Sequence, residues 1–218
     1  MDTGAVYAAE RAVISATAME LDDPQLATQV PGCPAWTVQD LLAHLVGLCT
    51  DLSNGMFEGA GTEPWTALQV ADRKGRTVPE LLAEWEQHAP GLEAQLTDWG
   101  FLGMRVGYDI TMHDDDMREA LGRPLGETAV HQEVLDGLAA VASRRLAKAG
   151  GPALRIQAGD RTWTLGEGDP DVTLRAPDTG ELGRALGGRR ALSVVRTWDW
   201  DGDPEPFLPH LPFFPPPD

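Results

Sequence analysis

Basic residues are scarce in this 218-residue chain: 17 Lys and Arg stand against 34 Asp and Glu, for a formal net charge of −17. Such a surface repels phosphate backbones and anionic headgroups, so nucleic acid and membrane surfaces are not expected partners. Cysteine is scarce too. Cys33 and Cys49 are the two present, too few for the disulfide framework of a secreted domain and suited to a reducing compartment. No run of about 18 apolar residues occurs. The start, Met1-Asp-Thr-Gly-Ala-Val-Tyr7, lacks the basic segment and apolar stretch of a signal peptide. The expectation is therefore a soluble, cytoplasmic protein. Also missing are an internal repeat, a P-loop and a Gly-x-Gly-x-x-Gly fingerprint.

A chain of this length can bury roughly 70% of its unfolded surface, enough for one large core or for one core with a small appended domain. Helical patterning dominates to about Ala149. A first helix is predicted from about Thr3 to Leu21, stopped by Asp22-Asp-Pro24. After a loop holding Pro31 and Pro34, Thr37 caps a second helix whose apolar stripe is Val38, Leu41, Leu45, Leu48 and Leu52. Residues from about Phe57 to Arg76 read as a long connection bordering a pocket. Thr77-Val-Pro-Glu80 is a capping box opening a third helix through Leu81, Leu82, Trp85, Leu92 and Leu96, with Pro90-Gly91 expected to kink or break it. A fourth helix ends near Gly122-Arg-Pro124, and a fifth runs from about Thr128 to Ala149. Beyond Gly150-Gly-Pro152 the texture changes to short β-type runs, Leu154 to Gln157, Thr162 to Leu165 and Val172 to Arg175. A short helix near Thr179 to Leu186 follows, then a Pro-rich tail expected to lie over the surface. The expected class is α+β: a helical bundle over 1–150 and a small α/β domain over 151–218.

Chemistry concentrates on the fourth helix. At about 100° per residue, Leu102, Val106, Asp109, His113, Asp116, Met117 and Ala120 share a face, so polar groups interrupt the side that should meet the core. Asp114 and Asp115 point elsewhere and read as a solvated face. Burying a carboxylate beside an imidazole requires a partner, and a divalent metal, another side chain or ordered water would serve. Asp109 and His113, four apart, fit either an intrahelical pair or two ligands of one ion. His44, at the margin of the second helix's leucine stripe, is either a structural histidine or a third ligand. Two nitrogens and a carboxylate suit Zn²⁺ with an open position, and also Fe²⁺, Ni²⁺ or Mn²⁺. Asp116 is read as supporting a ligand histidine rather than ligating, with an ion pair to Arg105 as the alternative. Cys33 and Cys49 read as structural, Trp36 as an anchor for the second helix, and Trp163, Trp198 and Trp200 as core fillers. His88, His131 and His210 read as surface or packing residues.

Two segments together resemble the mycothiol-dependent maleylpyruvate isomerase family, within the DinB-like group of metal-binding four-helix bundles. Val30-Pro-Gly-Cys-Pro-Ala-Trp36 running on to His44 is similar to its proline, tryptophan and histidine signature, and Asp109-x-x-x-His113-x-x-Asp116 with Ala120 and Gly122 to its second. The resemblance implies His44, Asp109 and His113 as metal ligands. Glutamate is usual in the family where this chain has Asp109, so the shorter side chain must bring its helix closer or bind through water. Val172-Thr-Leu-Arg175, the Leu182 to Leu186 helix and Gly188-Arg189 resemble more loosely the family's sterol-carrier-like C-terminal domain, where Arg189 or Arg190 would contact thiol or substrate.

What the resemblance implies is a metal-dependent enzyme with mycothiol as cosubstrate. Its thiolate would add to an activated double bond of a small electrophilic substrate, allow rotation and leave, or in an S-transferase stay attached. Two other readings remain: an inactive binder of a small ligand on the same scaffold, and a thiol-independent metal hydrolase.

Overall fold

The apolar stripes of the sequence become the inner faces of four long helices. In the computed structural model, which describes residues 2–217, the first part of the chain forms α1 (Thr3–Met19), α2 (Asp23–Leu26), α3 (Val38–Ser53), α4 (Glu63–Asp72), α5 (Val78–Leu96) and α6 (Phe101–Ala120). The chain divides into two compact units, one up to Leu125 and one from Gly126. In the first, α3 packs on α5, α5 on α1, α1 on α6, and α6 returns to α3, which closes a four-helix bundle. Tyr7 and Ile14 of α1, Leu41 and Leu45 of α3, Leu81, Trp85 and Leu92 of α5, and Ile110 of α6 fill its core. The polar tips there are matched, since the Trp85 indole N–H donates to the Tyr7 hydroxyl at 2.9 Å.

Helix ends follow their local chemistry. Thr37 and Asp40 form a capping box on α3, and Thr77 and Glu80 form one on α5. Between α5 and α6 the chain turns so tightly that a Cβ on Gly103 would stand 1.8 Å from the Leu96 carbonyl oxygen, which requires glycine there.

Two expectations differ from the structure. Of the kink or break expected at Pro90-Gly91, the break does not occur, because α5 continues to Leu96. Pro90 is exposed while Ala89 and Leu92 are buried, so the missing hydrogen bond falls on the wet side and packing carries the helix through. The supposed long connection contains α4, a further helix with Pro64 in its first turn.

α4 is held by a charged brace. Arg73 pairs with Glu84 of α5 and donates to the Gln69 carbonyl at 3.1 Å, while Thr50 of α3 donates to Glu84 at 2.8 Å. Burial would raise the Glu84 carboxyl, but these bonds and the charges of Arg73 and Arg76 outweigh it and leave its pKa below the ordinary value.

The second unit is a small α+β assembly. It contains α7 (Ala129–Lys148), β1 (Leu154–Ala158), β2 (Arg161–Leu165), β3 (Val172–Arg175), α8 (Thr179–Leu186), α9 (Leu192–Arg196) and β4 (Asp199–Asp201). Strand order is β2-β1-β3-β4, with β1 antiparallel to β2 and parallel to β3, and β3 antiparallel to β4. α7 packs on α8 and β2, so it groups with the sheet, and the division at 125/126 precedes the 150/151 boundary expected from texture. Trp163 and Trp200 are half-buried, the former under the Arg161 guanidinium at 4.7 Å rather than inside a core. The proline-rich tail is anchored, because Phe207, Leu208 and Leu211 are buried and Phe207 stacks on Trp200. Among the described residues no helix is long and apolar enough to cross a membrane.

A carboxyl with a depressed folded pKa contributes stability above its unfolded pKa and loses it as pH falls through the folded one. The unfolding free energy should therefore begin to drop below about pH 5 and keep falling beneath the ordinary glutamate value of about 4.3. Glu84→Gln should flatten that slope and cost about 2 kcal/mol at neutral pH. Urea unfolding across pH measures both, and an unchanged slope would refute the brace.

Candidate metal centre

α3 and α6 each present one histidine to the seam between them. His44 and His113 are both 3% exposed, with ring centroids 5.2 Å apart and planes at 75°. Trp36 lies over the pair, 4.7 Å from the His44 ring and 6.1 Å from that of His113. Its place is set by a closed loop: Val30 N–H donates to the Trp36 carbonyl at 2.9 Å, Trp36 N–H to the Cys33 carbonyl at 2.9 Å, and Gln29 bridges Thr37. Trp36 is thus a lid on the histidines as well as an anchor for α3.

Asp109 stands one turn before His113 and faces both rings. Its two oxygens lie 3.8 Å from His44 Nε2 and 3.6 Å from His113 Nε2, too long for hydrogen bonds. Donors held about 2.1 Å from one tetrahedral ion would be about 3.4 Å apart. The three candidate ligand atoms fall within 4.8 Å of one another, and the Asp109 side chain, 19% exposed, forms the solvent-facing edge.

The far nitrogens decide whether this donor set suits a cation. His113 Nδ1 lies 2.8 Å from Asp116 Oδ2, and a carboxylate only accepts, so Nδ1 carries the hydrogen. His44 Nδ1 lies 2.8 Å from Gln69 Oε1, whose amide nitrogen donates to Asp51 Oδ2 at 2.7 Å. That second bond turns the amide oxygen toward the imidazole, and Nδ1 again carries the hydrogen. Both Nε2 lone pairs are left facing Asp109, the arrangement a divalent cation requires. Burial lowers the His44 pKa and nearby His113 adds to this, while Asp109 and Gln69 oppose it; the net is a histidine held neutral.

Sequence reasoning therefore named the three converging residues and Asp116, but missed four neighbours. Gln69 lies on α4, which carries no apolar stripe, and Asp51, on α3, gains its meaning only through Gln69. Cys33 reads as structural in the sequence, yet its Sγ is 3.8 Å from Asp116 Oδ2, in a second cluster with His113. For Trp36 the sequence shows only the anchoring role, because nothing in its spacing places it over the histidines. Asp114 and Asp115, expected on a solvated face, are 2% and 4% exposed. α6 meets α1, α3 and α5 and is buried without a break from Ile110 to Met117, and Asp114 is balanced by Arg118 at 2.6 Å. Asp116, read either as support for a ligand histidine or as a partner of Arg105, lies 2.8 Å from His113 Nδ1. Arg189 belongs to the second unit, where it lies 5.7 Å over the Phe214 ring, and Arg190 pairs with Glu181 at 2.7 Å.

The architecture is that of the maleylpyruvate isomerase fold. The chain belongs to the mycothiol maleylpyruvate isomerase N-terminal domain family, whose model matches residues 7–136, more than half its length. Among solved structures it is similar to the mycothiol-dependent maleylpyruvate isomerase, at 14% identity and TM-score 0.53, and to a histidine-to-alanine mutant of that enzyme, at 13% identity and TM-score 0.52. Each likeness covers 86% of this chain and 88% of the other. At such identity the likeness carries the fold alone. No curated protein matches the chain.

Asp116 is fully buried and takes hydrogens from His113 and Cys33. Asp116→Ala removes that shared acceptor and should cost about 1–3 kcal/mol in chemical unfolding, whereas Asp116→Asn, which keeps an accepting oxygen, should cost less. Equal stability of all three proteins would contradict the bond assignment.

Proposed function

We propose that the protein is a thiol-dependent isomerase in which His44, Asp109 and His113 hold one divalent cation, Zn²⁺ first among the candidates, and a mycothiol-type thiol is the cosubstrate. The observation that supports this most strongly is the pair of Nε2 lone pairs aimed at one carboxylate, each fixed by an acceptor at the opposite nitrogen. Family membership supports the thiol and the isomerisation. The cation, when bound, supplies the charge that lowers a thiol pKa and favours the thiolate near neutral pH.

The chain's own residues prepare and shield that place. Gln69 and Asp116 hold the two imidazoles in one tautomer and orientation. Trp36 covers the histidine pair and excludes water from that side, which strengthens electrostatic interactions beneath it. Asp109 brings a negative charge to the open edge where small molecules arrive. The thiolate is the nucleophile: it adds to a conjugated double bond, rotation follows about the single bond so formed, and its elimination restores the double bond in the other geometry. This sequence needs no covalent nucleophile from the protein, so a half-buried Cys33 paired with Asp116 fits it. The second unit is read here as the sterol-carrier-like companion of the bundle, and Arg189 as its candidate contact for thiol or substrate. The setting that fits a mycothiol enzyme is the cytoplasm.

Elemental mass spectrometry of the purified protein, with calorimetric titration by mycothiol and an isomerisation assay on maleylpyruvate, tests this reading. About one metal ion per chain is expected, with affinity at least about 10-fold weaker in His44→Ala and His113→Ala and with thiol binding and turnover lost. Metal retained without any thiol response would favour a hydrolase, and a metal-free wild type would favour a ligand-binding protein. Either result overturns the proposal.

A further inference from the structure

α4 approaches α3 at a point where α3 has no side chain. A Cβ on Gly47 would stand 2.5 Å from Gln69 Cβ and 2.8 Å from Arg73 Nη1. Gly47 is three residues past His44, so its bareness lets α4 come close enough for Gln69 to reach the imidazole. Gln69 is buried, the single buried residue assigned to α4, and both ends of its amide are engaged.

An amide can turn end for end with almost no change in shape. Turned over, Gln69 would present its NH₂ to His44 Nδ1, and the imidazole hydrogen would have to move to Nε2, where it would block a cation. Asp51 prevents this: its carboxylate can only accept, so the amide nitrogen must face it. We infer that Asp51 and Gln69 form a positioning relay that sets the tautomer of His44, and that Gly47 is glycine because the relay requires α4 at contact distance. The inference rests on the metal reading for its purpose, but the tautomer it assigns exists with or without a cation.

The two histidines solve the same problem differently. His113 finds its acceptor on its own helix, in Asp116 three residues on. The corresponding positions around His44 are Leu41 and Gly47, with Leu48 one further on, and the carboxylate of Asp40, four residues back, is engaged by Thr37 in the capping box that starts α3. The chain supplies an acceptor from α4 instead, and α4 is itself pinned by Arg73 and Glu84. A neutral amide with a carboxylate behind it fixes the imidazole without placing a second full charge against it.

Swapping the two groups tests the relay. Asp51→Asn is close in shape but removes the group that orients the amide, so His44 should populate both tautomers. Zn²⁺ affinity, read by chelator competition, should fall about 10-fold or more. In Asp51→Asn combined with Gln69→Glu, the new carboxylate accepts from both the new amide and His44, and affinity should return to within about threefold of wild type. Gly47→Ala should weaken binding as Asp51→Asn does, although it touches no proposed ligand. Long-range ¹H–¹⁵N spectra of the metal-free protein give the tautomer directly: Nδ1–H in the wild type and the double variant, a mixture in Asp51→Asn. Circular dichroism melts confirm that each variant is folded. A single Nδ1–H tautomer and unchanged affinity in Asp51→Asn would overturn the inference, as would a folded double variant that fails to recover. A wild type that takes up no metal would defeat the functional reading alone, because the spectra still decide whether the relay sets the tautomer.

Discussion

Two imidazoles buried ring to ring, 5.2 Å apart, tolerate little freedom. If both were protonated they would repel at short range without water to screen them, and if either took the other tautomer a hydrogen would point into the gap they share with Asp109. Much of the surrounding chain answers that constraint. Asp116 holds one ring and Gln69 the other, with Asp51 behind Gln69. Gly47 lets Gln69 approach, and the Arg73–Glu84 pair keeps its helix in place. Trp36 covers the pair from a loop tied down at both ends.

The bundle is the right frame for such a group. α3 and α6 are separate in sequence but share a seam, and each is fixed from behind, α3 by α5 and α6 by α1. Side chains from packed helices are placed more firmly than side chains from loops. The loop residues that do contribute, Cys33 and Trp36, come from a segment closed by backbone hydrogen bonds. The family match over residues 7–136 takes in every one of these residues.

What the sequence made legible, and what it hid, divides along one line. Apolar periodicity gave the four long helices, because Leu41 and Leu45, Leu81 and Trp85, and Val106 and Met117 recur at the spacing of a buried face. Capping boxes gave the starts of α3 and α5. The His44 and Asp109-x-x-x-His113 motifs gave the convergence. α4 stayed hidden because its inward residues are polar: Gln69 is buried and Arg73 follows it one turn later, while Leu68 is exposed. A search for an apolar stripe cannot find such a helix, although Thr62-Glu-Pro64 is a start signal that was there to read. Asp114 and Asp115 were misplaced for a related reason. Periodicity implies a single buried face, whereas α6 is buried around its circumference from Ile110 to Met117 and balances Asp114 internally with Arg118.

Crystals of the protein loaded with Zn²⁺, examined by anomalous scattering at the zinc edge, put the central claim to its most direct test. One strong peak is expected between α3 and α6, about 2.0–2.2 Å from His44 Nε2, His113 Nε2 and an Asp109 oxygen. A peak bound through either Nδ1, or no peak at that seam, would contradict that claim.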